Sequence, residues 1–390
     1  MKALFYRYGS ICEPDMLDAL KRAGLEMIEI TDEILNKKIT DSDRISLVET
    51  ELKAQDIVFV FTINFYPAIS EICKLYNTLY LFWTVDSPVP ELFSKSIMNP
   101  TNRAFLFDRA QYDAIKKYNH DLVKYLPLAA ATDRFDECIA GVTEAERVKF
   151  SSDISFVGSL YIEKDPISRL DGLSDYSKGY ISALTEATLG IYGYYPVKEA
   201  LNETIISDVM KTAGDTFYKN VASVTDTNSY VVSHSYMAYH IAAEERVRTL
   251  NKLAEFFDVK LFTRSDTSLL RGVQVMGGVK TLDEMPKVFN LSKINLNMTM
   301  RAIETGLPLR IFDIMGSGGF LMTNYQSELE EYFVIGQDLE AYSSLDELVD
   351  KCAYYLEHDD ERKAIAINGY EKVKNNHTYF HRLRSMLAAI

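Results

Sequence analysis

Short, nearly continuous apolar runs alternate along this chain with longer segments whose apolar side chains recur every three or four positions. The runs in the first third are "ALFYR" (3–7), "LEMIEI" (25–30), "DIVFVF" (56–61), "LYLFWTV" (79–85), "RAFLFD" (103–108) and "LVKYLPLA" (122–129). Between them lie "EPDMLDALKRAG", with Met16, Leu17 and Leu20 on one face and Gly24 as its stop, then "DSDRISLVETELKAQ", "PAISEICKLYN" and "RAQYDAIKKYN". Strands spaced by helices of this length predict right-handed βαβ units and a parallel sheet. Runs that are continuous rather than alternating predict a sheet covered on both faces.

A second series starts at "DISFVGSLY" (153–161), breaks off, and resumes with "VKLFT" (259–263), "VQVMGGV", "SKINLNMT" and "GGFLMTN". The break, roughly 166–257, is tyrosine-rich and helical in pattern, with no β alternation. After "YSSLDELV" the chain reads as helix to its end. No repeat of solenoid period and no low-complexity linker is present. The expected organisation is therefore an α/β fold of two Rossmann-like domains with parallel sheets facing across a cleft. Residues 1–150 form the first domain and 151–375 the second, which carries the helical insert at about 166–257. Residues 376–390 form a closing helix that packs back on the first domain. Open parallel sheets bind ligands at the carboxyl ends of their strands, so each domain is expected to present its loops there.

Composition narrows the field. The 390 residues are 47% hydrophobic and 25% charged, which is globular. A formal net charge of −14 excludes non-specific nucleic-acid binding but leaves room for a local basic pocket. Cys12, Cys73, Cys138 and Cys352 are far apart, with no C-x-x-C, so zinc and redox motifs are absent and a reducing, cytoplasmic compartment is expected. "MKALFYRYGS" is broken too soon by Arg7 for a signal peptide, and "IVFVFTINF" is about half the length of a membrane helix. No transmembrane segment is expected.

The stretch with most chemistry is "GLPLRIFDIMGSGGFLMTN" (306–324). Its apolar spacing fits a short helix with Pro308 near the first turn, then a glycine turn and a strand. On that helix Arg310 and Asp313 share a face. A helix N-terminus with an arginine in its first turn suits a diphosphate, and an acid one turn later suits the hydroxyls of a ribose. An ordinary i, i+3 ion pair explains the same spacing. Gly316, Gly318 and Gly319 follow the helix instead of opening it, so the dinucleotide fingerprint fails and a C-cap explains them.

A wider likeness tips this balance. "NLNMTMRAIETGLPLRIFDIMGSGGFLMTN", the "YSSLDELV" helix and the closing "HTYFHRL" resemble the C-terminal half of group 1 glycosyltransferases of GT-B fold, nearest the CgeB-like (spore maturation) branch. "NFYPAISEICKLYNTLYLFWTVDSPVPELF" looks like the domain preceding it in bacterial members, and "YLPLAAATDRF" and "ISFVGSLY" look like their inter-domain region. The resemblance implies a nucleotide-sugar bound mainly by the second domain, an acceptor on the first, and no metal.

Residue by residue, the resemblance makes Arg310 the diphosphate contact and Asp313 the ribose acid, with Asp where many relatives have Glu. Related retaining enzymes carry Glu-x7-Glu; here position 305 is Thr and the nearest acid is Glu304, one residue out of register, which leaves the stereochemical outcome open. Glu304 and Asp86 of "WTVDSP" are the expected catalytic acids, Asp86 as general base; a turn cap explains Asp86 equally. Gly9, Gly158, Ser159 and Arg264 of "LFTRSD" are expected near the donor, with Lys280 and Thr281 beside the base and Asn297 at the end of its strand. For Gly9, a turn is the simpler account. His234 and His120 are alternative bases. Asp41 and Asp43 in "DSD" read as a helix start and not as a metal motif. Tyr176, Tyr180, Tyr192, Tyr194 and Tyr195 form either an acceptor platform or the core of the insert.

The expected activity is transfer of a sugar from a nucleotide-sugar to a glycan or protein of the surface-polysaccharide, flagellin or spore-coat type. A nucleotide-sugar epimerase on the same fold and a non-catalytic nucleotide-sugar-binding protein are the competing expectations.

Overall fold

A computed structural model describes residues 1–219 and 222–389. Two compact units divide the chain. The first comprises Met1–Ala129, Asn220–Thr227 and Thr378–Ile390, and the second Ala130–Lys219 and Asn228–His377.

The first unit holds a six-stranded sheet of β1 (Lys2–Tyr6), β2 (Glu26–Ile30), β3 (Ile57–Ile63), β4 (Leu79–Trp83), β5 (Asn102–Leu106) and β6 (Val123–Tyr125). The spatial order is β2-β1-β3-β4-β5-β6, every pair parallel. β1 and β3 are almost wholly buried, which is why their sequences do not alternate. The helix Glu13–Arg22 opens with a proline in its first turn and acids Glu13 and Asp15, and ends on Lys21 and Arg22, matching the helix dipole at both ends. The helix Tyr379–Leu387 packs on it, and Arg382 in that closing helix donates to the carbonyls of Pro127 and Leu128.

The "DSD" sequence opens the helix Asp41–Ala54: Thr40 is the N-cap and Asp43 completes a capping box with it, so the two acids serve the helix start.

The second unit holds β7 (Ser152–Val157), β8 (Val259–Phe262), β9 (Gln274–Val275), β10 (Ser292–Asn297), β11 (Leu321–Asn324) and β12 (Glu340–Tyr342). Their order is β12-β11-β10-β7-β8-β9, again all parallel. The chain leaves β7 toward β8 and β9 and then crosses back to β10 on the other flank. β7 and β10 therefore frame the point where strand order reverses, the place where such sheets bind ligands.

The excursion between β7 and β8 is helical. Its core joins Ile181, Val197, Ile205, Val209, Val231 and Met237 to Met300 and Ala302 of the loop after β10. Tyr195, fully buried, donates to the Ser233 carbonyl, and Tyr192 stacks its ring on the Arg301 guanidinium at 3.8 Å. Tyr176 and Tyr194 stay exposed. The tyrosines thus divide between core and surface.

No helix among the described residues is long and apolar enough to cross a membrane.

Candidate functional site

The carboxyl ends of β7 and β8, the 278–281 segment and the helix Leu309–Gly316 enclose a cavity of about 490 Å³ in the second unit. Gly158 and Ser159 follow β7, Arg264 follows β8, and Lys280, Thr281 and Arg310 complete the wall. Six of the residues singled out for a donor site thus converge on one concavity. Among the lining residues that sequence reasoning missed are Glu163, Lys164 and Ser265, because nothing in their spacing sets them apart from loop positions.

Arg310 stands in the first turn of its helix, behind the N-cap Pro308. Its side chain is 24% exposed, its guanidinium lies 5.2 Å over the Phe289 ring and it contacts the Met285 sulfur. Asp313 is 3.7 Å away, an ion pair beyond hydrogen-bond reach. Burial pulls the Arg310 pKa down, Asp313 opposes this, and the nearby Arg246 adds to the fall. An arginine keeps its charge regardless, so a partly desolvated cation faces the cavity with weak compensation.

The other three cations are exposed. Among the described residues Arg264, Lys280 and Lys164 make no ion pair with a carboxylate. Lys164 lies over the Tyr161 ring at 5.4 Å. The one acid in the lining is Glu163, which accepts from Ser159 and Ser265 hydroxyls at 3.0 and 2.9 Å. Burial alone raises its pKa, but a hydrogen bond from its own backbone N–H, then the two hydroxyls and Lys164, outweigh it and hold the carboxyl below its usual range. Four cations against one acid, in a chain of net charge −14, make a local field that attracts anions.

Asp313 is buried and does not line this cavity. Asn297 is also buried; its amide donates to the Thr299 and Thr323 hydroxyls at 2.9 Å. Asn324 clamps the same loop by bonding both the N–H and the carbonyl of Thr299. The loop so fixed carries Glu304, whose Oε1 is 3.1 Å from the His234 Nε2.

The first unit gathers a separate group at its own carboxyl edge. Asn64, at φ 58°, donates its amide to the Asp86 carboxylate at 2.7 Å and to the Tyr8 hydroxyl at 3.0 Å. Its carbonyl accepts from the N–H of Val85. Asp86 is exposed. The Tyr8 hydroxyl is pushed well above its usual range by burial, with the Asp86 charge adding to it. Gly9, at φ 95°, directs its N–H to the buried Glu13 carboxylate, which also accepts from Tyr8 N–H. Glycine is needed there for the left-handed turn. His120 is exposed beside Asp121.

No group of three or more histidine, cysteine, aspartate or glutamate side chains among the described residues is arranged to hold a metal.

Residues 245–388 match the family described as "Glycosyl transferase-like". No curated protein sequence is significantly similar to the chain. Solved structures are similar across its whole length at low identity. The Anabaena Alr3699/HepE protein in complex with UDP and glucose gives a TM-score of 0.56 at 11% identity, covering 100% of both chains. Sucrose-phosphate synthase from Thermosynechococcus elongatus gives 0.55 at 9% identity, covering 100% of both. A glycosyltransferase from Rickettsia africae ESF-5 gives 0.52 at 13% identity, covering 99% of this chain and 88% of that one. Two six-stranded parallel sheets and these neighbours establish a two-domain α/β fold of GT-B type, whose residues 245–388 match the glycosyl transferase-like family.

Proposed function

We propose that the protein transfers a sugar from a nucleoside-diphosphate sugar to a glycan or protein acceptor. The observation that carries this reading is the cavity of the second unit, where Arg310, Arg264, Lys280 and Lys164 face a common space with one acid among them. A diphosphate matches that field in charge, and the Arg310 guanidinium supplies a planar fork for its oxygens. Departure of the nucleoside diphosphate builds charge on the leaving oxygens, which fixed cations at a helix start stabilise without a metal. The UDP held by the similar Anabaena structure makes uridine the first base to test. Asp313, outside the cavity lining but 3.7 Å from Arg310, is read as the ribose contact, reached by the part of the ligand that extends past Arg310. Asp86, oriented by Asn64 and open to solvent, is read as the base that takes the acceptor proton. The acceptor class we favour is a surface polysaccharide, flagellin or spore-coat component, in keeping with the CgeB-like resemblance.

The test is release of nucleoside diphosphate from UDP-glucose and related UDP- and GDP-sugars, alone and with candidate acceptors, preceded by a thermal-shift screen. A ligand that binds the folded state raises its melting temperature. Turnover with at least one nucleotide-sugar is expected. Stabilisation by none of them would remove the donor-site reading.

A further inference from the structure

A second cavity, of about 460 Å³, lies in the helical insert of the second unit, between the helices Asp175–Leu189 and Ala238–Ala254 and the turn Ile167–Arg169. Small ligands are held in cavities of about 300–1,000 Å³. The first helix lines it with Lys178, Ser182, Thr185 and Glu186, and the second with His240, Glu244 and Arg248, each set spaced as one helical face. Helices that pack on one another ordinarily turn apolar stripes inward; here polar faces meet over a floor of buried Ile167, Leu173 and Ile181.

Interhelical ion pairs alone do not account for this lining. Thr185 is 2% exposed, and its hydroxyl has no hydrogen-bond partner among the described residues. A buried hydroxyl left unpaired costs stability, a cost that a bound hydroxyl would remove. His240 directs Nδ1 to Oδ2 of the buried Asp165 at 2.9 Å. A carboxylate only accepts, so Nδ1 carries a proton, and Nε2 has no partner among the described residues. The other oxygen of Asp165 accepts from the N–H groups of Ile167 and Ser168 at 2.9 and 3.3 Å. Asp165 thereby pins a strap that serves both cavities: Glu163 and Lys164 line the first, Ile167 and Ser168 the second.

The charge pattern selects the ligand. Arg248 is already engaged, at 2.6 and 2.8 Å with the two oxygens of Glu186 and at 3.1 Å with Glu244. Its fork is therefore not open to a phosphate. With Asp171 the lining holds three acids against Lys178 and Arg248, which disfavours an anion. No group of metal-binding side chains among the described residues is arranged for a cation. What remains is a set of hydroxyls, a ring nitrogen and carboxylates with spare lone pairs, above an apolar floor. An uncharged sugar matches it, because its hydroxyls both donate and accept and its C–H faces are apolar.

We propose that this cavity is a second, non-catalytic saccharide site, which takes an uncharged sugar unit of a glycan. The proposal goes beyond the donor-site reading and stands independently of it.

The experiment screens the full-length protein, with UDP present, against an array of neutral and acidic glycans. The strongest neutral binder is then titrated calorimetrically into wild type and two variants. Ser182→Phe, at an exposed position of the lining, fills the mouth, and Thr185→Val removes the unpaired hydroxyl at constant shape; melting curves confirm that both fold. S182F is expected to weaken glycan binding at least about tenfold while leaving UDP affinity within about twofold. T185V is expected to weaken glycan binding about threefold, the size of one neutral hydrogen bond. Binding of no neutral glycan, selection of acidic glycans only, or equal glycan affinity in wild type and S182F would overturn the proposal. A wild-type protein that binds no UDP removes the donor-site reading and leaves the proposal to be decided by the same glycan titrations.

Discussion

The side chain of Arg264 occupies the space that a Cβ on residue 278 would need: such an atom would lie 2.6 Å from both Cγ and Nε of Arg264. Gly278 and Arg264 both line the cavity, so the glycine lets the arginine lie flat along its wall. Gly278→Ala is expected to displace the guanidinium and weaken nucleoside-diphosphate binding by about tenfold, comparable to loss of one charged hydrogen bond. Arg264 is exposed, so the melting temperature is expected to stay nearly constant. Calorimetric titration of UDP beside a melting curve checks both.

A second prediction concerns the loop after β10. Arg301 and Glu245 are 3% and 5% exposed and form a two-pronged ion pair at 2.7 and 3.3 Å, with a further bond from Arg301 to the Ile191 carbonyl. Arg301→Ala leaves the Glu245 charge buried without its partner, which costs about 3–5 kcal/mol. Chemical denaturation is expected to show this loss, whereas Arg248→Ala, whose pairs are exposed, is expected to cost about 1 kcal/mol or less.

Acid sensitivity has a specific source in Glu146. Hydrogen bonds from Lys287 and from the N–H and hydroxyl of Thr143 lower its pKa from 4.5 to about 2. A carboxyl depressed in the folded state adds stability above its unfolded pKa, and that stability disappears as pH falls through the folded value. The contribution of Glu146 is therefore present above about pH 4.5 and lost between there and about pH 2. Glu146→Gln is expected to flatten the dependence of the unfolding midpoint in that window and to leave its slope near pH 8 unchanged.

How much of this was legible in the sequence depends on range. Strands such as β3 and β4 declare themselves through buried runs, and Arg310 stands out because a helix start, an arginine and an acid fall within one turn. The cavity's electrostatics were not legible. That Arg264 and Lys280 lack carboxylate partners is a statement about three-dimensional neighbours, and Lys164 gives no sign of itself in a loop. Glu304 was singled out from its near-match to Glu-x7-Glu, but its bond to His234 spans 70 positions and no local pattern records it. β12 escaped notice because "EAY" is three residues long and begins with a glutamate, buried here through bonds from Lys351 and Tyr355.

The central claim is that Arg310 holds a diphosphate, and calorimetric titration of UDP into wild type and Arg310→Ala tests it most directly. Loss of a charged phosphate contact is expected to weaken binding by about 1.5–3 kcal/mol, with Arg310→Lys in between because an ammonium lacks the planar fork. Equal affinity in wild type and R310A would contradict the account and leave Arg310 as the helical partner of Asp313 alone.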